Sequence, residues 1–463
     1  MDNKLEKLLH FFYEISKIPR QSGKEEKIAN YLENFAKERN LECYRDLNNN
    51  VLIKKKSNIN SNNILIMQAH MDMVCVKTKE SNHDFDVDSI QIVQDGDVIR
   101  AKDTSLGGDD GIGVAIMLFI LDSKEIKHAN LECLFTTEEE TTFGGAVNFD
   151  YTKLNGTSLV NFDGCEDDTI VIGCDGDICN DYFTKVKLID NTLPSYKVKI
   201  SNLKGGNSGE NLNKNRTNAI VLMGKILEFL SKNDNLYITS INGGTSEIDI
   251  ATDCECIINT NIKEIDKKIN IFLDKFKFSD EEPIVEVERI RNSKTFTLEI
   301  SKNIINEVIN LKQDIITKDK SDIITSGNVG VIITNADEVR ITWILKSINI
   351  EELNYYNEES KKISKLNKFN IDKVYDDSSW NPKSESAIRD KYIDSYYKVN
   401  LKKPNLKISH GGIECSVFNK CIKNMDMISI GAIIENIHTV DERIYISSCK
   451  KLLETLIHFL ANF

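Results

Sequence analysis

Near the start of the chain, apolar positions recur at helical spacing and then give way to short unbroken apolar runs. Leu5, Leu8, Leu9, Phe12 and Ile15 fall on one face of a helix, and Ile28, Leu32 and Phe35 suggest a second. Runs of strand length follow at Ile64 to Met67, Leu131 to Phe135 and Ser158 to Val160, with a buried-helix pattern over Gly111 to Leu121 between the first two. Strands alternating with helices imply a largely parallel sheet. The middle of the chain reads differently. Lys197 to Leu203 and Glu247 to Ile258 alternate as half-exposed strands do, and Asn218 to Leu230 and Ile262 to Phe276 have helical spacing. Val329 to Ile333 and Val339 to Leu345 read as a hairpin around Asn335, Ala336, Asp337 and Glu338. This is an α+β unit with its own core. After about residue 376 the α/β character returns, with an apolar strand at Ile428 to Ile434. A closing amphipathic helix carries Leu452, Leu453, Leu456, Ile457 and Leu460. Pro194 and Pro382 sit near the seams. The expected architecture is α/β: a discontinuous domain over 1–185 plus 376–463, with a mostly parallel central sheet flanked by helices, interrupted by an inserted α+β domain over 186–375.

The composition fits that reading and narrows the function. The 463 residues include 59 Lys and Arg against 72 Asp and Glu, a net charge of −13. An acidic surface repels phosphate backbones, which argues against general nucleic-acid binding. Met1 to Arg20 contains no signal-peptide apolar core, and the apolar stretch around Ile112 to Leu121 is far short of a membrane span. Eleven cysteines with no CxxC spacing read as reduced thiols. Cys254 and Cys256 share one face of a strand, but no second Cys or His pair accompanies them as a metal site would require. The expectation is a cytoplasmic protein with no membrane and no nucleic-acid partner.

Polar clusters follow the apolar runs. Gln68-Ala69-His70-Met71-Asp72 ends the first, Glu138-Glu139-Glu140 follows the second, and Asn161-Phe162-Asp163 follows the third. His438 lies a few residues beyond Ile428 to Ile434. Ligands of open parallel sheets bind beyond the carboxyl ends of the strands, so these distant clusters can converge. Gly107-Gly108-Asp109-Asp110-Gly111 forms a tight turn into the buried helix, where Asp110 suits an N-cap. Imidazole together with carboxylate suits a divalent metal such as zinc. His70 and Asp72, two apart on an extended segment, face the same side, so one can ligate while the other holds the imidazole. Of Glu139 and Glu140, one suits a ligand and the other a water-activating base. Each element alone has an ordinary structural explanation. Their order at successive strand ends makes a common accident improbable.

These segments resemble the five motifs of the M20 metallopeptidases. Finer features resemble one branch, the aminoacyl-histidine dipeptidases (Xaa-His dipeptidase, carnosinase-like). They are Gly205-Gly206-Asn207-Ser208-Gly209 with Arg216-Thr217-Asn218-Ala219, Ser326 to Gly330, His410-Gly411-Gly412-Ile413-Glu414-Cys415, and His438-Thr439-Val440-Asp441-Glu442-Arg443. The resemblance covers essentially the whole chain. It implies two Zn2+, with Mn2+ or Co2+ as substitutes. Asp109 would bridge them, His70 and Asp163 would complete one set of ligands, and Glu140 and His438 the other. Asp72 would orient His70 and Glu139 would be the general base. The insert would be a lid and dimerisation-like domain, with Asn207, Arg216 and His410 as substrate contacts. The peptide after Asp109 would be cis. The substrate would be a small peptide, foremost an Xaa-His dipeptide, and a homodimer is possible.

The chain departs from the branch on the lid side. Asn207 stands where the family has the histidine of GGHSG, so a neutral amide replaces a potential cation. Ile248 and Ala251 stand at the Asn and Pro positions of GGTxxNAIP, and Thr142 replaces a glycine after the glutamates. The alternatives are another M20 hydrolase, such as a broader di- or tripeptidase or a deacylase, and a metal-retaining, catalytically impaired peptide binder. A purely structural role is the weakest reading. His10, His83, His128 and His458 carry no expected site role.

Overall fold

A computed structural model describes residues 3–209, 211–232, 234–276, 278, 281–320, 322–377 and 379–463. The chain divides into two compact units. One comprises 1–174, 380–409 and 413–463, and the other 175–379 with the short segment 410–412.

In the first unit an eight-stranded mixed sheet runs in the order Glu42–Arg45, Val51–Lys55, Asn130–Thr136, Ile64–His70, Ser158–Gly164, Asp426–Gly431, Thr169–Cys174, Asn405–Ser409. Ile64–His70 lies at its centre, parallel to both Asn130–Thr136 and Ser158–Gly164. The apolar runs arise because both faces of this strand are covered. Leu65, Met67 and Ala69 enter one core, with the helices Asn3–Ile15, Gly108–Asp122 and Ile446–Asn462. Ile66 enters a second core with Trp380, Ile413 and Phe418. The outer pairs on one side, Val51–Lys55 with Asn130–Thr136 and with Glu42–Arg45, are antiparallel. The apolar run from Ile428 to Ile434 is not one strand. It ends at Gly431, which packs against Gly164 so closely that a Cβ there would meet the Gly164 backbone, and resumes as Ile434–Glu435 in a separate four-stranded sheet.

The second unit is built on a nine-stranded sheet. Its central hairpin joins Asp322–Thr334 to Glu338–Ser347, and the N–H of Asn335 donates to the carbonyl of Glu338 at 2.8 Å. The helices Ala219–Ser231, Leu298–Asn310 and Ile350–Leu366 contribute to its separate core. Gly176–Lys185, placed before the seam by the sequence reading, pairs with Glu338–Ser347 and with Asn370–Asp377 of this sheet. The alternating stretch from Glu247 yields a strand only over Cys254–Thr260. Residues ahead of it bond instead to the glycine loop, with Ser208 N–H on Ile248 O and Ile250 N–H on Gly206 O, both at 2.8 Å. Among the described residues, no helix is long and apolar enough to cross a membrane.

Candidate metal centre

His70 and Asp163 are carried at the carboxyl ends of neighbouring parallel strands, and Glu140 follows the third. Asp109 enters from the turn that opens the buried helix, through a cis Asp109–Asp110 peptide. Asp110 Oδ1 accepts the Gly113 N–H at 3.1 Å, the expected cap of that helix. His438 comes from a loop in the left-handed region, φ 63°.

These residues converge. Nε2 of His70 lies 3.2 Å from Oδ1 of Asp109 and 4.0 Å from Oδ1 of Asp163. Nε2 of His438 lies 3.6 Å from Oδ2 of Asp109 and 2.8 Å from Oε2 of Glu140. Ligand atoms of His70, Asp109 and Glu140 all lie within 4.8 Å of one another. Donors held about 2.0–2.2 Å from a tetrahedral zinc stand roughly 3.3–3.6 Å apart, which is the scale of these contacts. Oε1 of Glu140 is buried with no hydrogen-bond partner, so it has a free lone pair at the centre.

The electrostatics point the same way. Burial alone would lower the pKa of His438, but Asp109 and Glu140 outweigh it and push it up to about 10. Burial likewise opposes a charged His70, and Asp109 and Asp72 overcome it. Burial works against a charged Asp109 as well, yet the two imidazoles hold its carboxyl far below the usual range. Asp163 and Glu139 are raised, first by burial and then by the neighbouring carboxylates. A buried group of this kind requires positive charge in its midst, and divalent cations supply it without a proton.

Asp72 is fully buried and ties the cluster together. Its Oδ1 lies 3.4 Å from Nδ1 of His70 and accepts the Glu139 N–H at 3.2 Å. Its Oδ2 accepts the Glu140 N–H at 3.2 Å and the Ser22 hydroxyl at 2.7 Å. One carboxylate thus accepts the backbone N–H groups of both glutamates and lies beside the imidazole. Glu138, the first of the three, stands apart and accepts the hydroxyl of Thr142 at 3.3 Å.

The remaining expected site residues, Asn207, Arg216 and His410, lie in the second unit. Oδ1 of Asn207 accepts the Gly209 N–H at 2.7 Å, closing its own loop. A Cβ on Gly209 would sit 2.9 Å from His410 O, so this loop lies against His410. His410 Nε2 is 3.0 Å from the Ser326 hydroxyl, and its Nδ1 is 3.4 Å from Asp175 Oδ2. Arg216 is half-buried, and its Nε has no hydrogen-bond partner.

Three buried charges escaped the sequence reading. Arg20 donates to the carbonyls of Met71 at 3.1 Å and Asp72 at 2.8 Å, and also to that of Gly107. Glu414 accepts Gln68 Nε2 at 2.6 Å and the Thr136 hydroxyl at 2.7 Å, beneath the strand ends. Burial pushes its carboxyl up to about 7. Glu442 binds the turn that carries Asp109. Glu414 and Glu442 lie within the segments that carry the branch resemblance, but nothing in their spacing marks them as buried.

Comparison with known proteins gives the family and the fold. Residues 66–462 match the profile of Peptidase family M20/M25/M40. The chain is 29% identical over 458 residues to the cytosol non-specific dipeptidase of Escherichia coli K12, covering 95% of this chain and 94% of the relative. Its fold is similar to that of the aminoacylhistidine dipeptidase from Vibrio alginolyticus, with a TM-score of 0.85 and 27% identity over 99% of this chain and 96% of the other. A tripeptidase from Staphylococcus aureus shares the fold at a TM-score of 0.59 and 16% identity, covering 99% and 98% of the two chains.

Proposed function

Because the chain belongs to peptidase family M20/M25/M40, we propose that it is a metal-dependent dipeptidase whose preferred substrates are Xaa-His dipeptides. The observation that carries this reading is Asp109, with one carboxylate oxygen toward each of two imidazoles. Asp109 would bridge two zincs, with His70 and Asp163 holding one, and Glu140 and His438 the other. Bound there, the cations supply Lewis acidity at the peptide carbonyl and make water easier to deprotonate.

The chain's own residues do the rest. Asp72 holds the His70 imidazole with Nε2 directed inward. It also fixes the backbone N–H groups of Glu139 and Glu140, which aims both side chains from one point. Glu139 takes a proton from the attacking water and returns it to the leaving amine as the C–N bond breaks. By the family resemblance, Asn207, Arg216 and His410 would contact the substrate.

A second reading, a metal-retaining protein that binds peptides without cleaving them, rests on Asn207. Its carbonyl is engaged by Gly209 N–H, and it has no imidazole to offer an oxyanion. Its NH2 can still donate a hydrogen bond there but brings no positive charge, and where such a donor is lost altogether the rate falls about 10²–10³. A panel of β-Ala-His, Gly-His, Leu-Gly, a tripeptide and an N-acetyl amino acid separates the readings. Preferential cleavage of the His-dipeptides supports the first. Cleavage of the tripeptide or the N-acetyl compound instead moves the chain to another activity of the family, and binding without cleavage favours the second.

A further inference from the structure

Glu442 is only 2% exposed, and its carboxylate accepts four backbone N–H groups. Oε2 accepts the N–H of Leu106 at 2.7 Å and of Gly107 at 2.9 Å, and Oε1 accepts those of Gly108 at 2.7 Å and Asp109 at 3.3 Å. Four consecutive backbone donors thus converge on one anion, as they do in anion-binding backbone nests. The sequence is built for this approach. Gly107 adopts φ +69°, and a Cβ on Gly108 would come 3.2 Å from Glu442 Oε1 and closer still to the Ile444 side chain.

The opposite charge acts on the same turn. Arg20 donates to the carbonyl of Gly107 and, through its other amino group, to those of Met71 and Asp72 beyond His70. The turn is held through its N–H groups by a buried anion and through a carbonyl by a buried cation. Buried charges persist where their hydrogen bonds are complete, and here the bonds fix backbone geometry. A neutral amide cannot replace the carboxylate, because its NH2 would face two N–H donors.

We propose that Glu442 is a positioning residue for cation binding. By gathering the N–H groups of Leu106 to Asp109, it fixes the direction in which Asp109 presents its two oxygens to His70 and His438. The inference rests on the metal-centre reading above and adds a residue whose effect passes through Asp109.

The test compares Glu442→Gln and Glu442→Asp with Glu132→Gln. Glu132 is a buried carboxylate of the same unit, near the start of the strand Asn130–Thr136 and away from the end that pairs with His70, and it accepts the N–H groups of Asn155 at 2.8 Å and Gly156 at 3.0 Å. Zinc affinity is read by chelator competition, and the fold by circular dichroism. Partners of metal ligands typically change affinity by about 10–100-fold. Glu442→Gln should therefore bind zinc about 10–100-fold more weakly, Glu442→Asp should recover part of the loss, and Glu132→Gln should stay within about twofold of wild type. Hydrogen exchange on the wild-type protein should show the amides of Leu106 to Asp109 strongly protected. Equal affinity in Glu442→Gln and wild type, or an equal loss in Glu132→Gln, overturns the inference alone. If Glu442→Gln does not fold, unprotected amides at Leu106 to Asp109 in wild type still overturn it. A wild-type protein that takes up no metal overturns the metal-centre reading and this inference with it.

Discussion

Nδ1 of His70 lies 3.4 Å from Oδ1 of Asp72, two residues further along the same chain, while Nε2 points the opposite way to Asp109 at 3.2 Å. The imidazole thus lies between Asp109 and a carboxylate that is itself fully buried, and we expect Asp72 to orient it. Asp72→Ala removes this orientation together with the acceptor of the Glu139 and Glu140 N–H groups. Metal affinity should fall about 10–100-fold, and kcat should fall with it. Chelator competition on the variant reads the first effect, and unchanged affinity would dismiss the role.

Glu139→Gln isolates proton transfer. It preserves shape and leaves the five expected ligands untouched. Turnover should drop about 10²–10⁴-fold while metal content stays at the wild-type level. Metal analysis beside an activity assay checks both halves, and a variant that keeps most of its activity would assign the base elsewhere.

The sequence exposed the parts of this site that follow period and position. His70, Asp163 and the glutamates terminate apolar runs, and those runs are apolar because both faces of the central sheet are buried. Asp110 was legible as a cap because capping is a local interaction. Arg20, Glu414 and Glu442 were not, since each acts on backbone or side chains remote in sequence, and no local pattern records such a partner. The seam near residue 185 shows the same limit. Gly176–Lys185 continues the chain from the first unit, and only its pairing with Glu338–Ser347, far along the sequence, assigns it to the second.

Arg20 gives a stability prediction. Its guanidinium serves three backbone carbonyls and faces Glu442 and Asp72 in a fully buried setting. Removing one partner from a buried charge pair typically costs about 3–5 kcal/mol. Arg20→Ala should destabilise the first unit by that order, read as a lower denaturant midpoint. A surface-like change below about 0.5 kcal/mol would contradict the clamp.

His410 gives a pH prediction. Burial pushes its imidazole down to about 4, Lys346 adds to the effect, and Asp177 opposes it. The unfolded chain takes up that proton near 6.5. Between pH 6.5 and about 4 the unfolded state therefore binds more protons, and stability falls as pH falls. Asp175, raised chiefly by burial, has the opposite slope, so the test is a difference. Thermal unfolding from pH 7 to 4 should show a shallower acid loss in His410→Gln than in wild type. Parallel curves would contradict the assignment.

The central claim is that a metal centre around Asp109 cleaves dipeptides. Its most direct test is to titrate zinc, and separately manganese, into chelator-treated protein while following hydrolysis of β-Ala-His and Gly-His. Cleavage should be absent without metal, appear on addition, and level off at two ions per chain. Two ions bound with neither dipeptide cleaved would contradict the account.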